Sequence, residues 1–177
     1  MDVKGLRLNL GCGKQASPGW TRLDISDDPA VAADIVCDIR DGIPLPDDSV
    51  VEMRCWHILE HVLDVEPMFA EIWRVCRPGA TVDVRVPHYM HHAAYDTLDH
   101  VRYFSPGVFV NLDRSRHEVT AFRTFFRFRC ERLGNEWSEE WKARPDADLS
   151  PGAAEYHSLW TPNAIHEIHA VLRAVKP

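Results

Sequence analysis

Eight residues near the amino terminus constrain this chain most. Leu6-Arg7-Leu8-Asn9-Leu10 is an alternating run of strand formers that ends abruptly in Gly11-Cys12-Gly13. The pattern predicts a buried strand feeding a tight turn. Glycine permits the positive φ such a turn needs and, lacking a Cβ, lets the backbone approach a ligand closely. A turn of this kind, at the carboxyl end of a first strand, is where open α/β sheets bind nucleotides. The two glycines alone also suit a turn with no ligand, so the rest of the chain has to decide.

Lys14-Gln15-Ala16-Ser17-Pro18-Gly19-Trp20 separates that turn from a second strand, Thr21-Arg22-Leu23-Asp24-Ile25. A parallel crossover usually takes a dozen residues or more. The first helix is therefore cut to about one turn or replaced by a loop. Asp24 closes the second strand 13 positions after Gly11. An acid at this place in a nucleotide-binding unit accepts hydrogen bonds from ribose hydroxyls, ordinarily about 20 residues on. It also suits a turn cap ahead of Asp27-Asp28-Pro29.

Residues 34–38 read as a short third strand ending at Asp38, and Asp41-Gly42, Pro44 and Pro46 as loop punctuation. A fourth strand, residues 49–56, runs into His57-Ile58-Leu59-Glu60-His61-Val62. Residues 67–77 have helical periodicity, with Met68, Ile72, Val75 and Cys76 on one face and Pro78-Gly79 as the stop. A fifth strand, residues 80–86, leads to Pro87-His88. Beyond it the pattern predicts a short helix over 106–112, a long strand over 119–133 and a loop over 144–152. Residues 165–175 fit strand or helix. The order predicts a single α/β domain, a Rossmann-like doubly wound, mostly parallel sheet with ligand groups at the strands' carboxyl ends.

A net charge of −7 argues against a broad nucleic-acid-binding face, which needs clustered Lys and Arg. Arg114, Arg116, Arg123, Arg127, Arg129 and Arg132 form a local basic stretch that reads as a solvated face. Cys12, Cys37, Cys55, Cys76 and Cys130 contain no Cys-x-x-Cys pair and read as reduced thiols of a cytoplasmic protein. No apolar run approaches membrane-spanning length and no secretory segment opens the chain.

Several of these segments together resemble a known family. Leu8-Asn9-Leu10-Gly11-Cys12-Gly13, Leu23-Asp24-Ile25, and Asp38 followed by Ile43-Pro44-Leu45-Pro46-Asp47-Asp48-Ser49 are similar to class I S-adenosylmethionine-dependent methyltransferases. So are His57-Ile58-Leu59-Glu60-His61-Val62 and Glu71-Ile72-Trp73-Arg74-Val75-Cys76-Arg77-Pro78-Gly79-Ala80. The likeness is to a small bacterial branch, methyltransferase-11-like, and spans about residues 6–88. His100-Val101-Arg102-Tyr103-Phe104-Ser105-Pro106 extends it, and residues 164–176 look like that branch's last strand, an antiparallel carboxyl-terminal edge.

The resemblance implies one domain over 1–177, with a cofactor half to about residue 88 and a substrate side over about 89–160. The backbone at Asn9, Gly11, Cys12 and Gly13 would hold the methionine end of S-adenosylmethionine. Asp24, with Ile25, would bind the ribose diol, and Asp38 with Ile39 would lie against the adenine. Trp56 and His57 would flank the sulfonium. The chain departs from the family in two respects: Lys14-Gln15 stands where a third small residue is usual, and the first helix is nearly missing.

Methyl transfer from a sulfonium is an in-line displacement in which positioning and exclusion of water can supply most of the rate. A base is needed only if the acceptor arrives protonated. Histidine titrates near neutral pH, so His88 and His100 are the candidate bases. His61, Tyr89, His91, His92 and Tyr103 are candidates for the substrate side, with Trp141, Tyr156 and Trp160 from a second loop. The acceptor class is a small molecule or metabolite; homo-oligomerisation stays open, and no metal ligand set is assigned. Two alternatives remain. One is an accessory domain that binds S-adenosylmethionine without catalysis. The other is a metal-binding protein or hydrolase using His88, His91, His92 and His100.

Overall fold

A computed structural model describes residues 5–112 and 126–177. Seven strands form one sheet in the order β3-β2-β1-β4-β5-β7-β6. They are β1 (Leu6–Leu10), β2 (Thr21–Asp24), β3 (Ile35–Val36), β4 (Val50–Trp56), β5 (Cys76–Pro87), β6 (Phe128–Trp137) and β7 (Ile165–Ala174). The pairs from β3 through β5 are parallel, whereas β7 runs antiparallel between β5 and β6. The strand order reverses between β1 and β4. The expected sheet is therefore present, its antiparallel edge built from two strands with β6 outermost. No helix among the described residues is long and apolar enough to cross a membrane.

Register explains the two sides of the sheet. Leu8, Met53, Val82 and Leu172 occupy one row, and Leu10, Cys55, Val84 and Ala170 the next. All eight are fully buried. On this side packs α1 (Val65–Val75), through Met68, Phe69, Ile72 and Val75. The alternate rows, which face the other way, carry Arg7, Glu52 and Thr81, then Asn9, Arg54 and Asp83, then Trp56 and Arg85.

No helix joins β1 to β2 or β2 to β3 among the described residues. The loop after β1 instead folds Trp20 back onto the polar side, leaving it 8% exposed. Arg7 and Arg54 lie over the Trp20 ring at 4.4 and 4.0 Å. Arg54 and Arg85 each lie 4.7 Å from the centre of the Trp56 ring. Guanidinium and indole thus alternate across three strands, where a crossover helix was expected to be cut short. The loop is braced by buried Asn9, whose Nδ2 donates to Ser17 Oγ at 2.9 Å.

Several boundaries differ from the sequence pattern. The first helix starts at Val65, so Pro67 sits inside its first turn, where a missing N–H costs nothing. It ends at Val75 because Cys76 already pairs with Val50. Pro78-Gly79 is therefore not a helix stop; it lies in a β5 irregularity, since Val50 pairs with Cys76 but Glu52 with Thr81. β3 is shorter than expected, and Asp38 caps the turn after it. The loop expected over 144–152 lies between α3 (Glu139–Lys142) and α4 (Pro151–Trp160), which takes its last two residues; each helix is started by a serine whose Oγ accepts a backbone N–H. Between β5 and β6, α2 (Pro106–Asn111) lies where it was expected. Residues 165–174 are strand, as the resemblance implied. Of the strand expected over 119–133, residues 119–125 lie outside the described residues, as do Arg114, Arg116 and Arg123.

Candidate functional site

The carboxyl ends of β1, β2, β3 and β4 meet at one rim. Gly11 turns the chain there with φ +66°, and a Cβ on it would stand 2.6 Å from Ile58 Cγ1. Both facts demand glycine. The Gly11 and Cys12 N–H groups donate to the Leu23 carbonyl at 2.8 and 3.1 Å, which ties the turn to β2. The Gly13 N–H donates to Asp24 Oδ2 at 2.8 Å and the Ser26 N–H to Oδ1 at 3.0 Å. Backbone on either side of β2 therefore fixes the Asp24 carboxylate, which borders a hollow. Asp38 accepts the Arg40 N–H at 2.9 Å and a forked contact from its guanidinium. Those bonds hold its carboxyl at about 2.

Two hollows open on this rim. One, of about 490 Å³, is lined by Gly11, Asp24, Ile25, Asp38, Ile39, Ile58 and His61 among others. The second, of about 480 Å³, is lined by Asn9, Gly11, Cys12, Gly13, Lys14, Gln15, Trp56, His57, Arg85 and Glu167. Gly11 borders both. All ten residues proposed for the cofactor line one hollow or the other.

His57 is the most constrained group in the second hollow. Its backbone holds φ +51°, rare outside glycine and a feature that concentrates at functional sites. Its Nε2 meets Glu167 Oε2 at 2.7 Å and its Nδ1 meets Glu60 Oε1 at 3.3 Å. Glu167 first, then Glu60, push the imidazole up to about 9, against the effect of burial. Burial works to raise the Glu167 carboxyl, but His57 and Arg85 outweigh it and the net shift is downward. Arg85 reaches Glu167 Oε1 at 3.2 Å. Glu167 belongs to no motif that pointed to this rim. An acid inside the apolar run Ile165-His166-Glu167-Ile168 was the available signal; pairing of Glu167 with Pro87 delivers it to the rim.

The candidate bases do not face either hollow. His88 is 1% exposed, and its Nδ1 accepts the Met90 N–H at 3.2 Å. Its Nε2 is buried without a partner, and burial pushes the ring down to about 4. This is the geometry of a packed turn, not of a base facing substrate. His100 lies against His61, with ring centroids 4.8 Å apart.

The substrate-side candidates are spread out. His61 lines the first hollow. Tyr89 lines a third, of about 790 Å³, with Ser105, Trp137 and Ala154. His91 is buried and accepts the Ala93 N–H, His92 pairs with Asp96 at 2.8 Å, and the Tyr103 ring packs tilted against Tyr95, with centroids 4.6 Å apart. Of the substrate-side candidates, Tyr89 alone lines this third hollow. Trp141 stacks on Trp137 at 5.9 Å, while Tyr156 and Trp160 are exposed. His88, His91 and His92 do not converge with His100. Among the described residues the converging set is Glu60, His61 and His100.

Comparison with known proteins finds likeness to part of this sequence and to the whole fold. Residues 8–82 match the family model of the methyltransferase domain, so the strands and turns that build the rim carry that domain's signature. The fold is the Rossmann-like methyltransferase fold. An S-adenosylmethionine-dependent methyltransferase from Mesorhizobium loti superposes with a TM-score of 0.59 at 16% identity, covering 98% of this chain and 93% of that one. The YcgJ protein from Bacillus subtilis gives 0.63 at 13% identity, covering 99% and 94%. Geranyl diphosphate C-methyltransferase from Streptomyces coelicolor, solved with Mg2+, geranyl diphosphate and S-adenosyl-L-homocysteine, gives 0.60 at 11% identity, covering 98% and 72%. No curated protein matches the chain in sequence.

Proposed function

We propose that this chain is an S-adenosylmethionine-dependent methyltransferase acting on a small-molecule or metabolite acceptor. The observation that carries the reading is the pair of hollows that share Gly11. Such a groove suits a ligand with an adenosine at one end and an amino acid at the other. Asp24 would bind the ribose diol, with Ile25 beside it. Asp38 and Ile39 would border the adenine. The backbone at Asn9, Cys12 and Gly13 would take the amino-acid end.

The charges support this division. Lys14, Arg85 and a protonated His57 border the second hollow and suit the ligand's carboxylate, and Glu167 suits its ammonium. At neutral pH a histidine held up at about 9 is a donor, not a base. Transfer is an in-line attack on the methyl carbon as the sulfonium leaves as a thioether, and fixed geometry supplies the acceleration. This chemistry does not require His88 to act as a base. The same methyltransferase-domain match supports the donor, and the ligand of the Streptomyces enzyme is that donor's demethylated product.

Calorimetry with S-adenosylmethionine and S-adenosylhomocysteine tests the reading; failure of both to bind would overturn it. In Asp24→Ala, loss of charge-assisted hydrogen bonds should weaken binding by about 1.5–3 kcal/mol. Unchanged affinity in that variant would remove the ribose assignment.

A further inference from the structure

We propose that Glu60, His61 and His100 form a binding site for a first-row divalent metal ion at the mouth of the first hollow. Each offers one ligand atom, and the three atoms lie within 4.8 Å of one another. Two histidine nitrogens and one carboxylate are a donor set that Zn2+ and its neighbours in the first row accept.

The first support comes from the carboxylate. Glu60 is 1% exposed, and its Oε2 is buried with no hydrogen-bond partner. A buried carboxylate oxygen left unpaired is costly. His57 occupies only the other oxygen, Oε1. A cation beside Oε2 would remove the deficit.

The second support comes from the histidines. His61 Nδ1 lies 3.1 Å from the Asp99 carbonyl oxygen, and His100 Nδ1 lies 3.3 Å from the Ala94 carbonyl oxygen. A carbonyl can only accept, so each contact assigns Nδ1 as the donor and leaves Nε2 as the nitrogen that a neutral ring would offer to a metal. A metal-ligating histidine shows this arrangement, with its second nitrogen donating to a backbone carbonyl or carboxylate. Asp99 also brings a carboxylate to His61, 3.3 Å away.

The third support is that the backbone itself holds the groups together. The Val101 and Arg102 N–H groups both donate to the Glu60 carbonyl, at 2.9 and 3.0 Å. The Arg102 guanidinium bonds the Leu63 carbonyl. The loop carrying His100 is therefore strapped across the turn carrying Glu60 and His61. Zinc bonds of about 2.0–2.2 Å would draw the ligand atoms in by roughly an ångström, within reach of side-chain rotation.

Three protein ligands leave a coordination position open, and His61 lines the hollow. A metal held there would supply Lewis-acid chemistry, raising the acidity of an acceptor hydroxyl that reached it. This last role rests on the methyltransferase reading; the metal site itself does not.

The test uses the full chain purified without a histidine tag, stripped with a chelator and titrated with Co2+. One equivalent should bind and produce visible absorption that Zn2+ then quenches. His61→Ala and His100→Ala should each weaken binding at least tenfold. His92→Ala, which removes an exposed histidine paired with Asp96, should leave it unchanged. Glu60→Gln is compared only after its melting curve shows a folded protein; the two histidine variants carry the test if it does not fold. Absence of one-to-one binding, or equal affinity in wild type and His100→Ala, would overturn the site. S-adenosylhomocysteine binding measured in chelator reads the donor groove separately. Retained there without metal binding, it overturns this inference alone; lost while metal still binds, it overturns the donor reading alone.

Discussion

Met53 and Arg54 are neighbours in β4 that face opposite sides of one sheet, and different physics holds each side. Met53 is sealed in the row Leu8, Met53, Val82, Leu172, in the same core as α1. Arg54 stands in the row Asn9, Arg54, Asp83, Val171, with its guanidinium over Trp20 and Trp56. One side is shielded by close apolar packing, which scales with the area withdrawn from water. The other is shielded by flat cations stacked on indoles, whose polar edges stay solvated. The contrast teaches how a sheet of this class can do without helices after β1 and β2. A layer of Arg and Trp covers the strands, and it ends at the rim, where His57 and Glu167 take over.

The largest effect should come from Met53→Ala. Removing a fully buried side chain from the apolar row should cost about 2–5 kcal/mol in urea unfolding. Arg54→Ala removes two cation–aromatic contacts of about 0.5–1 kcal/mol each and should cost about 1–2 kcal/mol. An Arg54→Ala loss as large as that of Met53→Ala would break the contrast, because the ladder would then be a core in its own right.

The smallest effect tests where the ladder meets the rim. The folded-state pKa of His57, about 9, is above its unfolded value. The stability it contributes is thus complete below about pH 6.5 and is lost as pH rises through about 9. The ring is 52% exposed, so solvent screening keeps the effect under about 1 kcal/mol. Glu167→Gln removes the main cause and should bring the His57 titration, followed by NMR, back toward the ordinary range. An unmoved titration would mean that Glu60 alone holds the ring.

Much of the rim could be read from residue order. Gly11, Asp24 and Asp38 each end or follow a strand, and parallel strands deliver their carboxyl ends to one edge. The helix over 65–75 was legible from its apolar period, but its end was not. Cys76 continues that period, yet it pairs with Val50 as strand, because an available sheet edge outweighs a weak helical preference. Glu167 escaped notice because it reaches His57 across 110 residues of sequence. The facing of His100 and Glu60 depends likewise on backbone bonds between distant loops.

By itself, then, the amino-acid sequence determined the strands, the glycine turn and the acids that close successive strands. Those follow from local rules: alternation sets which face is buried, and a missing Cβ sets where the backbone can turn. Only the tertiary structure decided which histidines meet which carboxylates, and that Trp20 folds back to join the ladder. Such contacts depend on how strands order and register in space, and no short-range pattern in the chain encodes that.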